Sequence, residues 1–249
     1  MQRLLAPDGC PWDREQTLAT LRAYVIEEAF EVVDAIDRND PEHLREELGD
    51  LLLQIVFQAE LARNAGWFGP DDVVAAICDK LVRRHPHVFG DTKVSNADEA
   101  LASWEKLKKA EKKGRGALDG VPIALPGLLR AVRVGEKAAA VGYDWPDARG
   151  AREKITEELS ELDRALARGD RSNAEEELGD LLFAIASFAR KEAFDPEAAL
   201  RGSLERFGRR FRYAESAAQK HGKALSEMTL AELDTLWQEA KAQEEKAHA

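Results

Sequence analysis

The chain lacks most of the residues that would mark a secreted, membrane or nucleic-acid-binding protein. Its two cysteines, Cys10 and Cys78, are too few and too far apart for a disulfide framework or a cysteine-rich metal site. Both are expected to be reduced thiols of a cytoplasmic protein, with Cys78 facing a core. No segment approaches the roughly 18 uninterrupted apolar residues of a membrane-crossing helix. The opening MQRLLAPDGC reaches Pro7 without a sustained apolar core, unlike a secretory signal. Runs of β-branched residues are rare, which disfavours a sheet. An excess of positive charge is also missing. The formal net charge is −11, which argues against a nucleic-acid polymer as the main partner. A small phosphorylated ligand stays open, because a divalent metal or a few local Lys and Arg residues can neutralise it.

What is present is helical and duplicated. In TLATLRAYVIEEAFEVVDAIDR the apolar residues Leu18, Leu21, Val25, Ala29, Val32, Val33 and Ile36 form a helical stripe. After the break NDPEH, Asp40 is placed to cap and Pro41 to open a second helix, HLREELGDLLLQIVFQAELARNAG. GPDDVVAAICDKLVRRHPH reads as a third helix stopped by Pro86, and NADEALASWEKLKKAEKKG as a fourth. The second half repeats this outline. EELGDLL occurs at Glu46–Leu52 and again at Glu176–Leu182, an offset of 130 residues (176 against 46). A solvated acidic face is the ordinary explanation for one such stretch; recurrence of the whole helix–turn–helix at one offset points to duplication of a unit. The glycines and prolines of KKGRGALDGVPIALPGLL place a boundary near Leu118, giving units 1–117 and 118–249, and the tail after Lys241 is expected to fray.

Each unit sets two acidic pairs at a spacing of three, Glu28 with Glu31 and Glu47 with Asp50, then Glu158 with Glu161 and Glu177 with Asp180. That spacing keeps both members on one helix face. The turn at Asn39–Glu42 folds the two faces against each other at a common height. Gly49 and Gly179, beside the second pairs, leave room for close helix approach or a ligand. Four converging carboxylates repel and need a cation. With only oxygen donors and no histidine in the quartets, Mg²⁺ or Mn²⁺ fits better than a di-iron centre. Magnesium commonly joins carboxylates to a substrate phosphate, so basic groups are expected nearby. Candidates are Lys80 and Arg84 with Trp104 and Lys108, and Arg206 and Arg210 with Trp237 and Lys241, where the cations meet phosphate and the indole bounds a base pocket.

GCPWDREQT, EEAFE, EELGDLL, DKLVRRHPHVFGD and SWEKLKKAE together resemble the MazG family of nucleoside triphosphate pyrophosphohydrolases, in its tandem two-domain form and over essentially the whole chain. The resemblance implies duplicated all-α nucleotide pyrophosphatase bundles, a homodimer or higher homo-oligomer, and Mg²⁺-dependent hydrolysis of nucleoside triphosphates to monophosphate and pyrophosphate, including damaged or non-standard nucleotides. It places the metal motif on the eight acids named above, with Glu27 and Glu157 completing its EExxE form, and nucleotide contacts on Arg206, Arg210, Trp237 and Lys241. Two positions depart from related sequences, Arg206 where Lys also occurs and Asn173 where some have a basic residue. Both bear on substrate affinity rather than reaction class. Glu28 or Glu158 is the candidate to orient or deprotonate the attacking water. The second unit is expected to be the principal catalyst. A binding module built from the same hairpins would hold metal without releasing pyrophosphate.

Overall fold

The computed structural model describes residues 1–111, 114, 116–220 and 222–247, and it is all-α, with no strand among the described residues. The chain divides into two compact units, Met1–Lys113 and Gly114–Ala249.

The first unit opens with two short helices, α1 (Gln2–Leu5) and α2 (Pro11–Glu15), and continues with α3 (Arg22–Asp37), α4 (Pro41–Asn64), α5 (Pro70–Arg84), α6 (Pro86–Phe89) and α7 (Ala97–Glu111). The sequence stripe starting at Thr17 becomes helical only at Arg22, because Thr17 and Thr20 close a turn on themselves. The Thr17 N–H donates to the Thr20 hydroxyl at 2.9 Å, and the Thr20 N–H to the Thr17 hydroxyl at 3.1 Å. The second unit comprises α8 (Gly127–Ala139), α9 (Ala148–Ala167), α10 (Arg171–Lys191), α11 (Pro196–Lys220), a 3₁₀ turn at Leu225–Glu227, and α12 (Leu230–Ala247). The helix α8, absent from the sequence outline, packs on α10 and α11. The tail expected to fray after Lys241 is helical to Ala247, with Glu244 held by Arg209 and Arg210.

The hairpins α3–α4 and α9–α10 are made by the same turn chemistry. Asn39 and Gly169 take left-handed backbone, φ 53° and 70°, a conformation open to asparagine and glycine at little cost. Asp40 and Asp170 then cap the next helix, accepting from the His43 N–H at 3.1 Å and the Asn173 N–H at 3.2 Å. The buried apolar positions of these hairpins are largely alanine: Ala35 in α3, Ala59 and Ala62 in α4, Ala151 and Ala165 in α9, and Ala174, Ala184, Ala186 and Ala189 in α10. Larger apolar side chains such as Leu52, Leu53, Ile55, Leu182, Phe183 and Ile185 stay exposed. Cys78 also faces outward on α5, contrary to its expected core position. The α5 stripe is too shallow to cover it, since Val74, Ile77, Leu81 and Val82 around it are exposed too.

The C-terminal end of α10 is tied down by charge. Asp144 receives Arg190 at 2.6 Å and Lys191 at 2.6 Å, with all three side chains mostly buried. Gly135 of α8 is required by this arrangement, because a Cβ there would stand 2.9 Å from the Arg190 Nε. Hydrogen bonds from Arg190 hold the Asp144 carboxyl down at about 2. A folded value below the unfolded one stabilises the fold above the unfolded pKa, and that contribution is lost as pH falls through the folded one. Asp144→Asn is therefore expected to lower unfolding free energy at pH 7 by about 2 kcal/mol. The gap from wild type in denaturant titrations should narrow between about pH 4 and about pH 2.

Candidate active site

The turn between α3 and α4 brings three acids of the first quartet together. Oxygens of Glu28, Glu47 and Asp50 all lie within 4.8 Å of one another. Glu31 stands alongside on the more exposed side and presses on both glutamates. Loss of hydration pushes the Glu28 carboxyl up first, with further pushes from Asp50 and Glu31. Glu47, only 7% exposed, is pushed up by burial and by Glu31, against a smaller opposing pull from His43, whose Nδ1 lies 3.1 Å away. Held this way, the carboxylates repel one another, and a cation among them would relieve that repulsion.

The turn between α9 and α10 assembles a different trio, Glu158, Glu161 and Glu177, again within 4.8 Å. Asp180, the fourth acid of the sequence motif, is exposed and falls outside it. Here counter-charges are already in place. The Lys154 ammonium sits 2.6 Å from Glu158 and 3.0 Å from Glu157, which raises the Lys154 pKa. Arg164 donates to Glu161 at 3.0 Å, and the Asn173 amide donates to Glu177 at 2.8 Å. Asn173, read from sequence as a lost phosphate contact, thus positions an acid. Gly49 and Gly179 do not serve close helix approach within a unit, since an added Cβ at either would meet nothing within 4 Å.

Two of the basic candidates meet aromatic ones across helices. The Arg84 guanidinium lies 5.6 Å from the Trp104 ring, and Arg210 lies 5.6 Å from Trp237, both within cation–π range. Phe207 packs on Trp237 at 5.3 Å. Arg210 also bonds Glu244 at 2.7 Å. Lys80 and Arg206 are exposed one turn before their arginines, and Lys241 is half-buried one turn after Trp237. The Lys108 side chain lies outside the described residues. No hydrogen bond or ion pair among the described residues joins Arg206, Arg210, Trp237 or Lys241 to the acids of the second trio.

Three further groups escaped the sequence reading: His43, Lys154 and Gln54. Gln54 is buried, with its Nε2 3.5 Å from Glu28. Sliding the halves by the 130-residue offset exposes the last two directly, as it sets Tyr24 against Lys154 and Gln54 against Ala184.

The model of the MazG nucleotide pyrophosphohydrolase domain matches residues 16–89 and again 149–213, spanning both acid-bearing hairpins. The chain belongs to the MazG family. Its MazG relatives include the nucleoside triphosphate pyrophosphohydrolase of Escherichia coli K12, 45% identical over 98% of this chain and 95% of that protein. The nucleoside triphosphate pyrophosphohydrolase/pyrophosphatase MazG of Thermotoga maritima is 42% identical over 98% and 94%. A nucleoside triphosphate pyrophosphohydrolase of Mycobacterium tuberculosis is 40% identical over 53% of this chain and 41% of its own length. MazG proteins thus match this chain across both units or across about half of it, and the enzyme class is that of a hydrolase.

A raised carboxyl pKa means that the folded chain holds its proton more tightly than the unfolded one. Metal-free stability should therefore fall as pH rises from about 4.3 through the raised Glu28 and Glu47 values. Asp50→Asn removes one repelling charge, and in chelator at pH 7 it should raise the melting temperature by about 2–4 °C. Scanning calorimetry at several pH values checks both the sign and its disappearance in acid.

Proposed function

We propose that this MazG protein hydrolyses nucleoside triphosphates to monophosphates and pyrophosphate with Mg²⁺, Mn²⁺ being a possible substitute. The observation that carries the proposal is the recurrence, in one chain, of a carboxylate trio opposed across a hairpin and an arginine stacked on a tryptophan. The trios suit a hard divalent ion: every donor is a carboxylate oxygen, and Glu47 and Glu158 are buried where an uncompensated charge is costly. Glu28, Glu31, Glu47 and Asp50 would hold the ion in the first unit, and Glu158, Glu161 and Glu177 in the second, with Asp180 close enough in sequence to join. Bound there, Mg²⁺ supplies Lewis-acid polarisation of the phosphate and neutralises charge on departing pyrophosphate.

The protein's own groups do the rest. A carboxylate, Glu28 or Glu158, orients water and accepts its proton as the water oxygen bonds to the α-phosphorus and the bond to the β-phosphate bridging oxygen breaks. Lys80 and Arg84, and Arg206 and Arg210, meet the outer phosphates, with Lys108 and Lys241 flanking. Trp104 and Trp237 offer a flat wall to the base. A wall of that kind does not depend on one base edge, which suits removal of damaged or non-standard nucleotides in the cytoplasm, where triphosphates are made and used. The second unit is proposed as the principal catalyst, because Lys154 and Arg164 already match two of its acids and leave less negative charge to oppose a polyanion. The exposed Leu52, Leu53, Ile55, Leu182, Phe183 and Ile185 favour a homodimer or higher homo-oligomer that covers them.

Turnover is measured with separate detection of pyrophosphate and orthophosphate across a panel of triphosphates, with and without chelator. Pyrophosphate should appear only with metal, and orthophosphate as the first product would refute the chemistry. Glu177→Gln should lose about 100-fold in kcat while Glu47→Gln stays within about threefold of wild type. Equal large losses would assign turnover to both units. Sedimentation of a stable monomer at working concentration would remove the oligomer.

A further inference from the structure

The two trios occupy equivalent places in a duplicated unit, yet their surroundings differ in charge. Around Glu28, Glu47 and Asp50, the single basic side chain at ion-pair distance among the described residues is His43, 3.1 Å from Glu47. Gln54, 7% exposed, reaches the trio only loosely, with its Nε2 3.5 Å from Glu28. The carbonyl oxygen of the same amide is buried with no hydrogen-bond partner, and a half-turn of the amide exchanges it with the Nε2 that faces Glu28. Buried polar atoms are nearly always satisfied, and one left without a partner beside an acid cluster points to something absent from the protein itself. An amide carbonyl is a neutral, hard oxygen donor of the kind that Mg²⁺-class ions accept, and it adds no repulsion to the carboxylates.

At the corresponding place the second unit has Ala184, which offers no donor. Where the first unit has Tyr24 and Asp34, it has Lys154, 2.6 Å from Glu158, and Arg164, 3.0 Å from Glu161. An ammonium beside the acids repels an incoming dication, and binding the ion sets that repulsion against the ion's attraction to the carboxylates.

We propose that the two units load divalent metal unequally before nucleotide arrives: the first unit binds an ion by itself, with the Gln54 carbonyl adding an oxygen to its shell, whereas Lys154 holds the nucleotide-free affinity of the second unit down. The inference rests on the reading of both trios as metal sites. It makes Gln54 a direct oxygen ligand of the metal and Lys154 a built-in counter-ion, and it separates the two halves by loading order.

The test titrates Mn²⁺ into the full chain without nucleotide, followed by calorimetry and by the electron paramagnetic resonance signal of free Mn²⁺. Two affinity classes at least about tenfold apart are expected, Asp50→Asn removing the tighter and Glu177→Gln the weaker. Gln54→Ala, which installs the residue of the second unit, should weaken the tighter class by about 10–100-fold and leave the weaker unmoved. Lys154→Met should tighten the weaker class by about tenfold. Circular dichroism reports whether each variant folds. Should Gln54→Ala fail to fold, Ala184→Gln combined with Lys154→Met carries the same test by creating a second tight site. Equal affinities in the wild type overturn the inference, as does a tighter class untouched by Gln54→Ala, and both leave metal dependence standing. Mn²⁺ binding to neither trio, with or without a non-hydrolysable triphosphate, overturns the inference by removing the reading beneath it.

Discussion

Carboxylates separate unless the backbone holds them together, and in each unit a helical hairpin does so. A left-handed residue, Asn39 or Gly169, and an aspartate cap after it fix how the second helix returns along the first. Glu28, Glu47 and Asp50, or Glu158, Glu161 and Glu177, then meet whether or not their charges favour it. Like-charge repulsion and loss of hydration both act against such a cluster. The fold tolerates it because the hairpin geometry is set by turn and packing rather than by the acids. What varies between the units is the remedy for the repulsion.

Duplication makes that variation legible. The turn, the cap, the acidic spacing and the arginine-on-tryptophan contact recur, while the residues touching the acids have changed kind. Lysine and arginine stand against the second trio; a histidine and a buried amide stand against the first. The two copies thus retain one scaffold for gathering negative charge and differ in how that charge is answered. Among the described residues, only the second trio has permanent cations against it. This difference concerns few side chains, all within one or two helical turns of the acids themselves.

Much of this was readable from sequence because it depends on short-range periodicity. The helices, the Asp40 cap and the placement of acids three apart all follow from spacing on a helix. What sequence could not supply were relations set by tertiary packing. The helix α8, whose glycine admits Arg190, gave no duplicated signal. Asp180 matched its motif but falls outside the trio, since motif spacing fixes a helix face and not the rotation that aims a particular carboxylate. Cys78 looked like a core residue because its neighbours are apolar, yet that whole stripe of α5 is exposed.

The hairpins are lined with alanine where they are most deeply buried. Helix axes approach as closely as the side chains between them allow, so methyl groups act as the ruler that sets the gap between opposing acids. Enlarging one by even an isobutyl group would widen that gap, altering the site from a position that touches neither metal nor nucleotide. Alanine scanning, the usual search for functional side chains, passes over such positions, because the residues that set the dimension are already alanine.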